Sequence, residues 1–522
     1  MSRFRNFAHS LASGYVLLAA NMVYTLATVP LAWRYLSKTE FGLWTTTSVV
    51  AQYLSLVDFG MSGSVARILI DHKDSRRDGR YGSLIQVGAL VGIVQGALAF
   101  LLSVALAFAL GPLLKVPEEF RASFAWLMIG QCGLLAVSFV GRIFNQVLTA
   151  HQRFDIVNYA QAALFAVSYG IMWFGFAHGQ GVFAILWSQL TSVVTVIVAA
   201  VACARLNFFP QRGEWGRPNR ALFDELFAFG RDIFLYALGG QLVSASQSLL
   251  LTRFFGLDVA AVWNVCTRAF TVLAQLLYRI FDFSSSALAE MMVRTERERL
   301  LNRFKQIAVA STSLSVAAGT VFAVCNSAFV EIWTSGKIDA GHATTDWFAL
   351  NDWLLGAWLV LCVVTHAHTG FIGQSKKLGF LRYVFFLEGL VFIGLMALLH
   401  RFGGITIMLA LSLGCGLAFS LPYGLRRTRA YCGLSWREVA EWHRPSLRLA
   451  LCAAPVAAAV WWFTRDLPVA WRLAANGALV GGWTLVMLLR FGLDASLQTE
   501  LIHRAPVSLR RIISRLTGLS QP

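Results

Sequence analysis

Runs of roughly 20 to 30 mostly apolar residues alternate along the chain with short polar segments, and fourteen such runs can be counted. A hydrocarbon layer about 30 Å thick needs about 20 apolar residues per helix, so each run predicts a membrane span. The runs cover residues 10–33, 41–68, 83–110, 122–150, 156–177, 182–204, 230–252, 259–288, 305–330, 353–373, 378–399, 405–425, 447–463 and 469–489. The expected architecture is therefore an all-α polytopic membrane protein. Two shorter segments have an amphipathic pattern, 221–229 and the basic stretch 497–519 with Arg504, Arg510, Arg511 and Arg515. Such segments are expected to lie in the interface as anchors, with binding of a partner as the alternative.

Composition agrees with this pattern. Hydrophobic residues make up 57% of the 522 and charged residues 14%, against about 25% charged in a soluble domain. A water-soluble globule, a disordered chain and a secreted disulfide scaffold are excluded. The eight cysteines fall mostly inside the apolar runs without paired spacing and read as small buried hydrophobes. A net charge of +17 would fit nucleic-acid binding if it were clustered on a polar domain. Most of the Lys and Arg instead fall in the tails and in alternate loops, which predicts both termini on the cytoplasmic side. The first run is long and lacks a small-residue cleavage site, so it reads as a retained span.

The two halves carry an internal repeat. Arg34, Tyr35, Leu36, Ser37, Glu40, Gly42, Leu43 and Trp44 superpose without a gap on Arg253, Phe254, Phe255, Gly256, Val259, Ala261, Val262 and Trp263, a shift of 219 residues. In each copy an Arg closes one span, a short turn follows, and a Trp opens the next. Spans one to six and seven to twelve thus form two lobes in the same orientation, a parallel repeat of the kind that builds transporters around a central site. The expected divisions are an N-terminal lobe (1–205), an amphipathic linker (206–229), a C-terminal lobe (230–425), a loop (426–446), two extra spans (447–490) and a basic tail (491–522).

Polar residues stand where lipid disfavours them. In the eighth span Arg268, Gln275, Arg279, Asp282 and Ser286 fall within about 40° of one meridian at 100° per residue. Gln131, Ser138, Arg142, Asn145 and Thr149 form a similar stripe in the fourth span. Lesser stripes occur in the second (Ser48, Gln52, Ser55, Asp58, Ser62) and seventh (Gln241, Ser244, Ser248, Thr252). Ionisable groups at membrane depth cost about 2.5–3.5 kcal/mol each on insertion scales and normally face protein or a watery cavity. A cavity lined by guanidinium groups suits phosphate, which accepts bidentate donation. The structural alternatives are an Arg279–Asp282 pair one turn apart and an Arg142 that snorkels to an interface. Asp58 fits an ion or proton site, a partner for an Arg, or a cap before Gly60. Glu388 is a further carboxylate in the eleventh span.

Other features carry less chemistry. His366 and His368 are two residues apart, about 200° around a helix, and cannot chelate one metal together. Gly88, Gly92 and Gly96 follow the small-xxx-small spacing of close helix packing. No phosphate-binding loop of the GxxxxGK[ST] type occurs, and no cofactor or metal is expected. Short loops disfavour a membrane glycosyltransferase or polymerase, which leaves transport as the leading function and a non-enzymatic role as the expectation.

The opening segment also resembles a known family. Asn21 with Pro30, then Arg34-Tyr-Leu-Ser, Glu40-Phe-Gly-Leu-Trp44 and Leu56-Val-Asp58-Phe-Gly60-Met, is similar to the start of Wzx-type polysaccharide biosynthesis flippases of the multidrug/oligosaccharidyl-lipid/polysaccharide exporter superfamily. The motif resemblance spans about residues 10–70 and is topological beyond them. It implies two six-helix lobes around a central cavity and movement of a polyprenyl-diphosphate-linked oligosaccharide between leaflets of a bacterial cytoplasmic membrane. On that function, the polar stripes and the repeated turns supply Arg268, Arg279, Arg142, Gln275, Arg34 and Arg253 as candidate substrate-binding residues, and Asp58 and Asp282 as candidate ion-coupling residues. The implied partners are the lipid-linked glycan, the bilayer, and polysaccharide polymerase or glycosyltransferases, with no nucleic acid and a monomeric chain. A cation-coupled multidrug exporter of the same superfamily is the alternative. The two extra spans are similar in number to those of lipid II flippases, where the pair makes a groove for the lipid tail.

Overall fold

The apolar runs all become helix, and no strand occurs among the described residues. The computed structural model describes residues 3–73, 78–338, 347, 349–375, 379–504, 506, 510, 514, 516 and 517. Among these, eleven helices are long and apolar enough to cross a membrane, or thirteen if each of two bent pairs counts as one span. The remaining predicted span, 230–252, is helical but fails that test, because Arg231, Asp232 and Gln241 dilute its apolar character.

Contacts divide the chain into two units, Met1–Val262 and Trp263–Pro522. The first unit contains α1 (Arg3–Tyr35), α2 (Lys38–Leu54), a 3-10 turn (Ser55–Asp58), α3 (Met61–His72), α4 (Arg80–Leu113) and α5 (Glu118–Ala150). It continues with α6 (Phe154–Ala177), α7 (Phe183–Ser188), α8 (Thr191–Arg205), α9 (Arg220–Ser244) and α10 (Ser246–Phe255), and α11 (Leu257–Cys266) runs across the boundary. The sequence puts 230–252 in the second lobe, whereas here α9 packs on α3 and α10 on α2.

The core of this unit is a cluster that includes Leu69, Leu84, Val147, Ala199 and Leu226. Helix α9 begins at Asn219, whose side chain accepts from the Leu222 amide, and its Leu222 and Leu226 are buried in that cluster. The amphipathic segment 221–229 is thus the first turns of a longer helix, with much of its apolar face against protein. Phe229 and its neighbour Ala228 carry no described side chain. The expected glycine spacing operates between α4 and α5: a Cβ on Gly92 would sit 2.6 Å from the Phe139 carbonyl oxygen and one on Gly96 2.8 Å from that of Ala136.

The second unit contains α12 (Arg268–Val293), α13 (Arg297–Trp333), α14 (Ala349–Gln374), α15 (Leu381–Leu399), α16 (Gly404–Ala418), α17 (Ser420–Cys432), α18 (Trp436–Thr464), α19 (Val469–Met487) and α20 (Ala495–Arg504). Helix α13 is its mast, packed against α12, α14, α18 and α19. The predicted loop 426–446 shrinks to the three residues between α17 and α18. The cause is a capping box, in which Ser435 and Glu438 satisfy each other's amides and start α18 early.

The last two spans are tied to α13 by polar contacts at several levels. Arg472 pairs with Glu331 at 3.0 Å, with side chains 11% and 19% exposed. Fully buried Asn476 donates to the Val324 carbonyl at 2.8 Å and accepts from Thr464 at 2.7 Å. Ser313 bonds Ser446 at 2.8 Å. Much of the basic tail, Arg511 and Arg515 included, lies outside the described residues, and no side chain is described for Arg504.

Candidate functional site

The polar stripes of the first unit meet at a break in the second span. Helix α2 ends in the 3-10 turn, Phe59 takes φ 48° and Gly60 φ 71°, and α3 departs at 47°. A left-handed pair of this kind favours glycine, and Gly60 also lies against Gly230 of α9. A Cβ on Gly60 would be 2.5 Å from the Gly230 oxygen, and one on Gly230 2.5 Å from the Phe59 oxygen. The Phe59 ring sits 4.9 Å from that of Phe234.

That break holds Asp58 at the start of α3. Its carboxylate accepts from the Ser62 amide at 3.3 Å and from the Ser62 hydroxyl, and it pairs with Arg142 Nη1 of α5 at 2.8 Å. Asp58 thus meets both the first turn of α3, through Ser62, and the Arg142 guanidinium. Arg142 is drawn inward, its side chain 29% exposed, with its guanidinium 4.1 Å from the Phe139 ring centroid. Gln95 of α4 reaches the Asp58 carbonyl at 2.9 Å. Farther along, Gln131 donates to Ser48 at 3.2 Å, which joins the stripes of the fourth and second spans.

In the second unit the stripe runs along α12, which begins after a 41° bend at Thr267. Arg268 is half-buried at its first position, whereas Gln275 and Arg279 are exposed. Arg279 Nη1 stands 4.0 Å from Asp282 Oδ2, with side chains 48% and 37% exposed. The other carboxylate oxygen is taken by His366 Nε2 of α14 at 2.8 Å, and the His366 ring stacks on Tyr278 at 4.2 Å. His366 was not a candidate by sequence. Its partner is 84 residues away, and no spacing signals a contact between two helices. The side chain of Ser286 is not described.

Arg34 is exposed at the end of α1, and Arg253 is half-buried in the last turn of α10. The structure therefore joins Asp58 with Arg142 and Arg279 with Asp282, and leaves Arg34 and Arg253 at helix ends beside the repeated turns.

A further carboxylate was missed by sequence. Asp352, 2% exposed at the start of α14, accepts from Asn326 at 2.7 Å, from the Trp347 indole at 3.1 Å and from the Ser327 hydroxyl. The same Asn326 amide donates to the Cys266 carbonyl at the α11–α12 bend, at 3.0 Å. No group of three or more His, Cys, Asp or Glu side chains is placed to hold a metal among the described residues.

Comparison with known proteins agrees with this architecture. The family model described as "Polysaccharide biosynthesis protein" matches residues 10–285. None of the curated proteins matches by sequence. Among solved structures, the chain is similar to the lipid II flippase MurJ in an inward closed conformation, at TM-score 0.63 and 12% identity, covering 93% of this chain and 99% of that one. It is also similar to an inward-facing multidrug resistance MATE family transporter of the MOP superfamily (0.56, 13%, 78% and 98%). A mutant Vibrio cholerae MATE transporter resembles it as well (0.52, 14%, 82% and 98%). At these identities the likeness is one of fold.

Proposed function

The chain belongs to the polysaccharide biosynthesis protein family, and from that premise we propose that it carries a polyprenyl-diphosphate-linked oligosaccharide from the inner to the outer leaflet of a bacterial cytoplasmic membrane. The shared fold with a lipid flippase and with MATE transporters supports movement of a membrane-borne or amphipathic cargo rather than bond-making chemistry.

The observation that carries the reading is the stripe of α12. Arg279 lies 4.0 Å from Asp282, at the limit of an ion pair, while His366 holds the other oxygen of that carboxylate. Its half-exposed guanidinium thus keeps donors for a ligand, and Arg268 and Gln275 follow on the same meridian. A diphosphate offers planar pairs of acceptor oxygens to such donors. Arg142 is the guanidinium of the first unit's stripe, with Asp58 as its counter-charge. Binding of a cation at Asp58 or Asp282 would release the adjacent arginine to phosphate, which gives these carboxylates a coupling role. Arg34 and Arg253 would meet the phosphates near release. The sugar head needs room but no buried charge, and the prenyl tail stays in lipid.

The test is retention of polyprenyl-diphosphate oligosaccharide by the detergent-purified chain in native mass spectrometry, in competition with a lipophilic cation. Retention weakened by Arg268→Ala together with Arg279→Ala supports the reading. Retention of the cation alone, or full flipping activity in the double variant, defeats it.

A further inference from the structure

The first unit carries an apolar groove of about 510 Å³ between α4, the break at residues 59–61 and the start of α9. Val87, Leu90, Val94 and Leu98 line it along α4 at spacings of three to four residues, which is one face of a helix. Phe223 and Phe227 of α9, stacked at 6.1 Å, form the facing wall. Leu90, Val94, Leu98, Phe223 and Phe227 are all exposed. At 1.5 Å per residue the α4 wall is about 16 Å deep, close to half of a hydrocarbon layer of about 30 Å. The groove therefore matches one leaflet, from just inside the apolar run 83–110 to near the centre of that run.

The mouth of the groove is polar and held in place. The Gly216 amide donates to the Gly79 carbonyl at 3.1 Å and Arg80 pairs with Glu225 at 3.0 Å, so the segment entering α9 is fastened to the start of α4. Trp215, beside that bond, is exposed, as aromatic residues at the headgroup level commonly are. Arg220 lines the groove itself, and one turn on Asp224 stands 3.9 Å from it, with side chains 93% and 63% exposed. Exposed pairs at such separations contribute little, and this one exchanges readily for a ligand that supplies both charges. A phosphate accepts from a guanidinium, and a primary ammonium beside it donates to a carboxylate. The mouth thus offers two opposite charges above an apolar slot one leaflet deep. At the other end Gln95 lines the groove and donates to the Asp58 carbonyl at 2.9 Å, which places the floor against the α2–α3 break.

We propose that this groove binds a phospholipid with a phosphoethanolamine head, its phosphate on Arg220, its ammonium on Asp224 and one acyl chain along α4 down to Phe59. An anionic head without an ammonium leaves Asp224 facing the phosphate, and a quaternary ammonium has no N–H to give it. A chain seated against Phe59 and Met61 fills the space beside Gly60 and restrains the break. The leaflet is the one at the start of α4, on the side that the charge bias predicts to be cytoplasmic. The site goes beyond the transport reading and does not rest on it.

Native mass spectrometry of the detergent-purified full chain, with palmitoyl-oleoyl phosphatidylethanolamine, phosphatidylcholine and phosphatidylglycerol in equal amounts, reads the site. Phosphatidylethanolamine is expected to be retained severalfold over the other two. Asp224→Asn should abolish that preference, and Arg220→Ala should weaken retention of all three. Val94→Trp, which fills the groove, should weaken it too, whereas Leu101→Trp, exposed on α4 outside the groove, should not. Equal retention of the three lipids by the wild type overturns the headgroup assignment and marks bulk lipid only. Retention unchanged in Val94→Trp overturns the groove, and displacement of the phospholipid by polyprenyl-diphosphate oligosaccharide assigns the groove to cargo instead. Hydrogen exchange over residues 55–62, which hold the break, is expected to slow on binding in the wild type and not in Val94→Trp. Exchange unaffected by bound phospholipid overturns the restraint on the break.

Discussion

The Thr39 hydroxyl donates a 2.7 Å hydrogen bond to Oδ1 of Asp258, a residue 219 positions farther along the chain. That separation is the shift of the internal repeat, so the bond joins equivalent positions of its two turns. The contact continues along α2. Gly42 lies so close to α11 that a Cβ would be 2.1 Å from the Leu257 oxygen, Thr46 bonds Thr252 at 2.9 Å, and the Tyr53 hydroxyl donates to the Gln241 carbonyl at 2.8 Å.

This row of hydroxyls is held by bonds that can exchange with water, whereas the glycine contacts of α4 and α5 are backbone packing. If the row separates during transport, Thr39→Cys combined with Asp258→Cys is expected to form a disulfide on oxidation, stop flipping and recover with reductant. Peptide mapping by mass spectrometry checks the bridge. Flipping that continues with the bridge formed shows that the turns stay together throughout.

Asp58 and Arg142 share a partly buried ion pair with a helix cap on one side. Asp58→Asn and Arg142→Gln are each expected to cost about 1.5–3 kcal/mol, the range for hydrogen bonds to charged groups. Because the residues are in contact, the double variant should lose less than the sum of the two. Thermal unfolding in detergent of the four proteins reads the coupling. Strict additivity would mean the pair contributes nothing.

Gly60→Ala and Gly230→Ala each place a methyl 2.5 Å from a carbonyl oxygen. Overpacking of this sort costs about 1–3 kcal/mol, and Gly60 adds strain from its φ of 71°. A lower melting temperature is expected in both, larger for Gly60. Gly63→Ala, with nothing within 4 Å, serves as the neutral control.

Removal of the Asp352 carboxylate leaves Asn326, Ser327 and Trp347 with unsatisfied donors in a buried site. Asp352→Ala is expected to destabilise by more than Asp352→Asn, which keeps one acceptor. Trp347 fluorescence should move toward that of an exposed indole in Asp352→Ala alone. An unchanged spectrum would show that the indole is held by its packing near Trp263.

The anchoring of the last two spans predicts that Asn476→Leu and Arg472→Ala loosen α18 and α19 from α13. Removal of one member of a buried ion pair leaves a buried charge and costs about 3–5 kcal/mol. Limited proteolysis between residues 464 and 469 should accelerate in Arg472→Ala. Protection equal to wild type would assign the anchoring to apolar packing.

The linear sequence determined the class of the protein and much of its local layout. An apolar run long enough for the bilayer has one way to satisfy its backbone, so span positions, helix content and the repeated turn were all legible. The arginine and carboxylate stripes were legible too, because 100° per residue gathers them on one meridian of their own helix. Helix type and face are properties of a segment. Pairing between helices is not, and only the tertiary structure decided that Asp58 meets Arg142, that His366 takes one oxygen of Asp282, and that 230–252 packs with the first unit. Each of those depends on residues tens to hundreds of positions apart being brought within about 3 Å, and no periodicity along a single chain carries that information.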